Sequence, residues 1–177
     1  MVRPSAEEIA DRKCRKVGIL VTEGVVDSEI YTSEIEKLNP SIEIFYQACP
    51  LLVPIIESGK QDERRSDAII SEYLDRLFTQ DGEIDTILLS CTHYPILYKV
   101  FRRHTPSHVK IISQGPVIAN KLRDYLARHP EVEKRLPRKG IREFLSTDSP
   151  ERFNRLASVF YRESVHSTSV TLGVFDS

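Results

Sequence analysis

The sequence has few cysteines, almost no net charge and no long apolar run, and each of these features excludes a class of protein. Its 177 residues hold three cysteines, an odd number that is too small for a disulfide framework. A net charge of −1 gives no basic surface for nucleic acid or for an anionic membrane. Apolar runs such as 84–89 are too short to cross a bilayer, and acidic residues stand where a secretory signal would be apolar. We therefore expect a cytoplasmic protein in a reducing environment, with neither nucleic acid nor a membrane as partner.

Short apolar runs alternate with amphipathic stretches along the chain, which favours an α/β fold with an open, mostly parallel sheet. Proline twice interrupts 49–59, which predicts a short helical turn or a loop there, and the polar stretch 129–140 predicts a surface connection. The predicted strands are 17–21, 42–46, 86–89, 110–113, 141–146 and 170–175, and the predicted helices are 28–38, 66–78, 95–103, 117–128 and 149–161.

Cys91 directly follows the most apolar predicted strand, within LLSCTHYPILYKV (88–100). Ligands of open α/β sheets bind beyond the carboxyl ends of the strands, and the next helix would favour a thiolate there. His93 could relay a proton, and Thr92 offers a hydroxyl and a backbone N–H to a substrate carboxylate. A buried and inert thiol is the alternative, because free cysteine is among the most buried residue types.

Other chemistries of cysteine do not fit the spacing. A phosphatase loop of the form Cys-x5-Arg would need arginine at the position of Leu97. Cys14, Cys49 and Cys91 lack the paired spacing of zinc ligands, and neither TEG (22–24) nor SQGP (113–116) is a glycine-rich phosphate loop. The sequence therefore predicts no metal site and no nucleotide loop.

Several segments resemble one enzyme family, the glutamate racemases within the aspartate/glutamate racemase family. LLSCTHYPIL (88–97) closely resembles that family's GCTHYP motif. Three more segments are similar to family segments in the same order: VGILVTEGVVDSEIY (17–31), CPLLVPIIESG (49–59) and FLSTDSPERFNRLASVFY (144–161). The resemblance implies the racemase-like α/β fold, with helices on both faces of the sheet and the N-terminal half of the family fold absent from these residues.

The resemblance also implies an activity: cofactor-independent interconversion of L- and D-glutamate, which supplies D-glutamate for peptidoglycan. Family enzymes use two cysteines, one on each face of the α-carbon, and Cys91 matches the second of them. His93 matches the histidine that assists this thiol, and Glu57 an acidic residue near the pair. Thr92 matches a substrate-binding residue, and Thr22 the first of two threonines that hold the substrate carboxylate. No metal or other cofactor is implied.

The sequence departs from the family pattern at two of these positions. Val25 replaces the second threonine, and Ser90 replaces the glycine before the thiol. Cys49 lies in a family motif but is interpreted as buried and structural, and Cys14 has no predicted partner.

The domain organisation follows from the resemblance too. Residues 1–112 match the second racemase domain, which carries the Cys/Thr/His motif, and 113–177 match the C-terminal segment that completes the first domain. The family's first catalytic cysteine, in a C-N-T-A motif, has no match, so we expect the isolated chain to be inactive. A missing N-terminal half or a second chain in a dimer would be its partner. The final TLGVFDS (171–177) reads like the family's opening strand, which leaves a permuted or fused arrangement open.

Two other functions remain as alternatives. The chain could be a non-catalytic glutamate-binding or interaction protein built on half of the racemase fold. It could also be a thiol redox protein that uses Cys91, although the lack of a nearby resolving cysteine counts against this.

Overall fold

The computed structural model describes residues 2–58 and 63–173. The chain forms two compact units, residues 1–129 and 130–177. The helix after residue 113 therefore counts with the first unit, whereas the family resemblance assigns it to the C-terminal segment. That family-based division stays a prediction.

The first unit alternates strands and helices, as the sequence pattern predicts. Its elements are α1 (Val2–Asp11), β1 (Lys16–Val21), α2 (Glu23–Val26), α3 (Ile30–Glu36), β2 (Glu43–Ala48), α4 (Leu52–Glu57), α5 (Glu63–Gln80), β3 (Thr86–Leu89), a 3-10 turn (Tyr94–Leu97), α6 (Tyr98–His104), β4 (Lys110–Ser113) and α7 (Gln114–Arg128).

The four strands form one parallel sheet in the order β2-β1-β3-β4. All four residues of β3 are buried, and so are the last five of β1. Continuous apolar runs of this kind are typical of strands covered on both faces, which explains why β1 and β3 lie at the centre.

Helices cover both faces of this sheet. On one face Ile87 and Leu89 of β3 pack with apolar residues of α4, α5 and α6. On the other face Leu88 packs with residues of α1, α3 and α7. Side chains alternate along a strand, so neighbouring residues of β3 belong to different cores. The predicted open, mostly parallel sheet with helices on both faces is confirmed.

Several local details of the first unit differ from the sequence-based predictions. Helix α1 was not predicted, although one of its faces buries Ser5, Ala6 and Ile9. The predicted helix 28–38 is shorter in the structure, where only α3 forms within that range. Glu29, in a left-handed conformation (φ 45°), separates α3 from the preceding helix α2. The predicted helix 95–103 begins as a tighter 3-10 turn.

The second unit is smaller and contains α8 (Pro130–Glu133), β5 (Phe144–Ser146), α9 (Pro150–Tyr161) and β6 (Ser167–Ser169). β5 and β6 pair in parallel. Ser149 caps the start of α9, because the backbone N–H of Arg152 donates to Ser149 Oγ at 3.3 Å.

The predicted strand 170–175 is wrong over its described part. The strand lies at the polar residues 167–169, and 170–173 is not a strand; residues 174 and 175 lie outside the described residues. Pairing with β5 decides the position, since the ladder ends where Val170 N–H donates to Ser146 O at 2.9 Å. The predicted strand 141–146 is shortened to β5, and α8 lies within the predicted connection 129–140.

Candidate active site

Residues that follow different strands meet at the carboxyl edge of the sheet. Thr22 comes directly after β1, and Cys91 follows β3 by one residue. Glu57 ends α4, the helix that follows β2. In a parallel sheet the carboxyl ends lie at one edge, so the topology gathers residues that are far apart in sequence.

Cys91, His93 and Glu57 form a connected set of side chains. Cys91 Sγ lies 3.7 Å from His93 Nδ1, and His93 Nε2 lies 3.1 Å from Glu57 Oε1. All three side chains are partly buried. If the carboxylate accepts the Nε2 proton, the lone pair on Nδ1 faces the thiol, and the imidazole can then take the thiol proton.

The 3-10 turn after the thiol is anchored by Tyr94. Its backbone N–H donates to Cys91 O at 3.2 Å, and its buried hydroxyl donates to Val21 O at 3.0 Å. Burial raises the pKa of Tyr94, so the hydroxyl stays neutral and able to donate. The turn between β3 and α6 is therefore tied to the end of β1, a contact that the sequence did not predict.

Thr22 and Thr92 do not take part in the hydrogen bonds of this set. Thr22 occupies the N-cap position of α2 without a side-chain capping hydrogen bond, and Thr92 is exposed. The hydrogen bonds that join Cys91, His93 and Glu57 include neither of them. At the position of the family's second threonine, Val25 is partly buried against the apolar core, and its N–H donates to Thr22 O at 3.0 Å.

The other two cysteines are buried. Cys49 is fully buried and its thiol donates to Gln47 O at 3.5 Å. Burial, helped by the nearby charge of Cys91, raises the pKa of Cys49 to about 12, which agrees with its interpretation as structural. Cys14 does have a partner, since Thr86 Oγ1 donates to its sulfur at 3.2 Å.

Three further polar residues, which the sequence analysis did not treat as functional candidates, hold hydrogen bonds in this unit: Ser90, Tyr31 and Gln114. Ser90 Oγ donates to Leu20 O at 2.8 Å, so the serine that replaces glycine gains a bond to β1. Gln114 Nε2 donates to the hydroxyl of Tyr31 at 2.5 Å.

Neither a metal cluster nor a membrane span emerges from residues 2–58 and 63–173. Within those ranges no three His, Cys, Asp or Glu side chains come together as metal ligands would. The helices there are all too short or too polar to cross a bilayer.

Comparison with known proteins identifies the family. Residues 1–122 match the Asp/Glu/Hydantoin racemase family, and the chain belongs to it. It is 33% identical over 161 residues to a glutamate racemase of Chlorobaculum tepidum, covering 90% of this chain and 58% of that relative. A glutamate racemase of Streptococcus pyogenes is 33% identical over 160 residues, with 89% and 58% covered. The chain thus spans a little more than half the length of these relatives.

Solved racemase structures share the fold. The glutamate racemase of Francisella tularensis, solved with D-glutamate, aligns with a TM-score of 0.84 at 24% identity, over 98% of this chain and 64% of that one. The glutamate racemase of Thermus thermophilus, solved with β-chloro-D-alanine, aligns with a TM-score of 0.77 at 28% identity, over 97% and 61%. The predicted racemase-like architecture is therefore confirmed.

Proposed function

We propose that this chain supplies one of the two proton-transferring thiols of a glutamate racemase, acting without a cofactor, in a pathway that provides D-glutamate for peptidoglycan. The main support is the connected set of Cys91, His93 and Glu57 at the carboxyl edge of the sheet. Family membership and the glutamate racemases among the relatives support the substrate.

The arrangement suits removal of a weakly acidic α-proton. Glu57 holds the Nε2 proton of His93, and Nδ1 accepts the proton of the Cys91 thiol. The thiolate then takes the α-proton of L-glutamate, which leaves a carbanion-like centre. Inversion requires a proton from the opposite face, delivered by a second acid.

The second acid must come from outside the thiols described here. Cys14 and Cys49 are both buried, and burial raises the pKa of Cys49. We propose that a segment outside the described residues or a second chain contributes it. Loss of one member of a catalytic unit removes most of the rate, so the isolated chain should exchange the α-proton of L-glutamate without converting it to D-glutamate.

Thr22 and Thr92 are proposed to hold the substrate. Each follows a strand of the central pair, β1 or β3, and each carries a hydroxyl and a backbone N–H suited to a carboxylate. Val25 offers no hydroxyl, so the carboxylate has one donor fewer than in the family pattern.

A non-catalytic glutamate-binding protein is the second candidate. The observation in its favour is that Cys91 is the one cysteine of the three that is not buried. The chain therefore offers a single accessible thiol, whereas inversion by the proposed chemistry needs two. In that case glutamate binds at the same edge, and no proton leaves it.

The test is α-proton exchange of L- and D-glutamate in D2O, followed by NMR. We expect exchange of L-glutamate that falls at least about 100-fold in Cys91→Ser, and by a smaller factor in Glu57→Gln, whose amide oxygen still accepts from His93. Cys14→Ala is the matched control, because it removes a buried thiol and should leave exchange unchanged.

Two outcomes would contradict the proposal. Exchange that persists in Cys91→Ser would place the base elsewhere. Binding of glutamate without exchange, unaffected by Cys91→Ser, would make the chain a binding protein.

A further inference from the structure

The hydroxyl of Tyr94 lies where three segments near the candidate site meet. Tyr94 is fully buried, and its hydroxyl donates to Val21 O at 3.0 Å, with Cys49 O further away at 3.5 Å. Val21 ends β1, whereas Cys49 directly follows β2 and leads into α4. The hydroxyl therefore joins the turn after β3 to the carboxyl ends of β1 and β2.

The backbone does not need this hydroxyl for its own hydrogen bonds. Val21 O also accepts from the backbone N–H of Cys49 at 2.8 Å, and Cys49 O accepts from that of Leu52 at 3.3 Å. Both carbonyls would keep a donor if residue 94 were phenylalanine. Burial of a hydroxyl costs free energy that its hydrogen bonds offset, so an aromatic ring without the hydroxyl would fill the same space. The hydroxyl therefore calls for a reason other than backbone pairing.

Hydrogen bonds hold the turn on either side of Cys91. Before it, the hydroxyl and the backbone N–H of Ser90 donate to Leu20 O at 2.8 and 3.1 Å. After it, the Tyr94 hydroxyl donates to the next carbonyl along β1. The short segment between these two attachments carries both Cys91 and His93, so the attachments determine where the thiol and the imidazole lie.

The distance between the thiol and the imidazole is sensitive to the position of this turn. Cys91 Sγ lies 3.7 Å from His93 Nδ1, which is longer than the roughly 3 Å at which a base takes a proton directly. The other ring nitrogen of His93 is bound to Glu57 of α4 at 3.1 Å. A turn that moves relative to α4 would therefore separate the imidazole from the thiol or from the carboxylate.

We propose that Tyr94 is a positioning residue for Cys91, His93 and Glu57, and that it acts through its hydroxyl, which holds the turn against the ends of β1 and β2. The hydroxyl takes no proton from the substrate in this arrangement. It keeps the imidazole between the thiol and the carboxylate. The inference deepens the proposed function and rests on it only in taking Cys91 as the working thiol.

The competing explanation is that Tyr94 serves only the apolar core. Its ring packs there with the ring of Phe101, at a centroid distance of 6.1 Å. Tyr94→Phe keeps the ring and removes the hydroxyl, so it separates the two roles. A core role predicts either no effect on Cys91 or a loosening of the whole core. A positioning role predicts an effect on Cys91 that depends on His93.

The experiment follows alkylation of each cysteine by iodoacetamide across pH, with tryptic peptides quantified by mass spectrometry. Since the thiolate is the nucleophile, Tyr94→Phe should lower the Cys91 rate at pH 7 about threefold, an upward displacement of the profile by about half a pH unit. Cys14 and Cys49 are buried and should stay unreactive. In a His93→Gln background, Tyr94→Phe should have no further effect.

Tyr73→Phe is the matched control. Tyr73 is buried in the same apolar core, and its hydroxyl accepts from the backbone N–H of Leu51, directly before α4, at 3.3 Å. Removal of that hydroxyl should leave the Cys91 profile unchanged. A displacement equal to that in Tyr94→Phe would mean that loss of any buried hydroxyl in this core suffices, and would overturn the proposal.

Further outcomes decide the remaining cases. An unchanged Cys91 profile in a folded Tyr94→Phe variant, or an equal displacement in the His93→Gln background, overturns the proposal. So does a Tyr94→Phe variant that fails to fold or that exposes Cys14 and Cys49 to alkylation, because the hydroxyl would then serve the fold. Alkylation needs no glutamate, so failure of proton exchange would contradict the proposed function and leave this result standing.

Discussion

The two units of the chain bury their apolar side chains very differently. In the first, β1 and β3 lie between two apolar cores, one on each face of the sheet. In the second, two three-residue strands pair with each other, and Ser146 and Val165 are the buried residues within its described part. Large apolar side chains there remain exposed: Leu136, Ile141, Leu145, Val159, Phe160, Tyr161 and Leu172.

The difference teaches where the stability of this chain comes from. Burial of apolar area is the main favourable term in folding, and the first unit has two continuous cores that supply it. The second unit has no comparable core within its described residues. Matched substitutions in the two units should therefore have unequal effects.

The largest difference is expected for leucine truncation. Leu88, on β3, is fully buried, whereas Leu145, on β5, is 54% exposed. Leu88→Ala should lower the free energy of unfolding by about 2–5 kcal/mol, because it removes contacts and leaves a cavity. Leu145→Ala should change it by less than about 0.5 kcal/mol. Urea denaturation followed by circular dichroism measures both, and equal losses would break the comparison.

An intermediate effect is expected for added methyl groups. A Cβ at Gly18 would lie 2.5 Å from Leu77 Cδ2, so Gly18→Ala should cost about 1–3 kcal/mol through overpacking. Gly140 has open space around it but a φ of +61°, so Gly140→Ala should cost about 1 kcal/mol through the backbone alone. Thermal unfolding of both variants, and of Gly18→Ala with Leu77→Val, separates the causes. Relief by Leu77→Val is expected only for Gly18→Ala.

The smallest effect concerns ion pairs and pH. Lys16 Nζ contacts Asp81 Oδ2 at 2.7 Å, and this bond, with a second from the Glu83 N–H, lowers the pKa of Asp81. A lowered folded-state pKa gives stability that is complete above about pH 4 and is lost as pH falls through the folded-state value. Asp81→Asn should therefore flatten the acid decline of stability.

The matched pair in the second unit is Arg138 and Glu133, with Arg138 Nη1 at 3.2 Å from Glu133 Oε1. Their side chains are 73% and 42% exposed. Glu133→Gln should leave the same acid profile unchanged, because exposed pairs contribute little. Urea midpoints between pH 2 and 6 measure both variants. A larger effect of Glu133→Gln would contradict the comparison.

The strands of the central sheet were predictable because buried strands consist largely of apolar residues, which the sequence shows directly. Strands β3 and β4 were predicted with the bounds that the structure has, and in β3 all four residues are buried. Helix α1 escaped because its buried face consists of Ser5, Ala6 and Ile9, a weak signal among charged residues. Strand β6 escaped because its serines and threonine pair through the backbone.

Prediction of the candidate site depended on distance along the chain. Cys91 and His93 stand two residues apart and could be interpreted from one motif. Glu57 lies 36 residues before its partner His93, and only the family resemblance pointed to it. Gln114 and Tyr31 are 83 residues apart, and neither residue alone carries a pattern that indicates the bond between them.

The strand order has a consequence for the kinetics of folding. β3 lies between β1 and β4, although β2 precedes it in the chain, so the segment from α4 through α5 must cross back before β3 can dock. Closing such a long loop costs entropy before any contact repays it, which makes this a slow step. The bond between His93 and Glu57 spans that crossover, so its formation would mark late completion of the sheet.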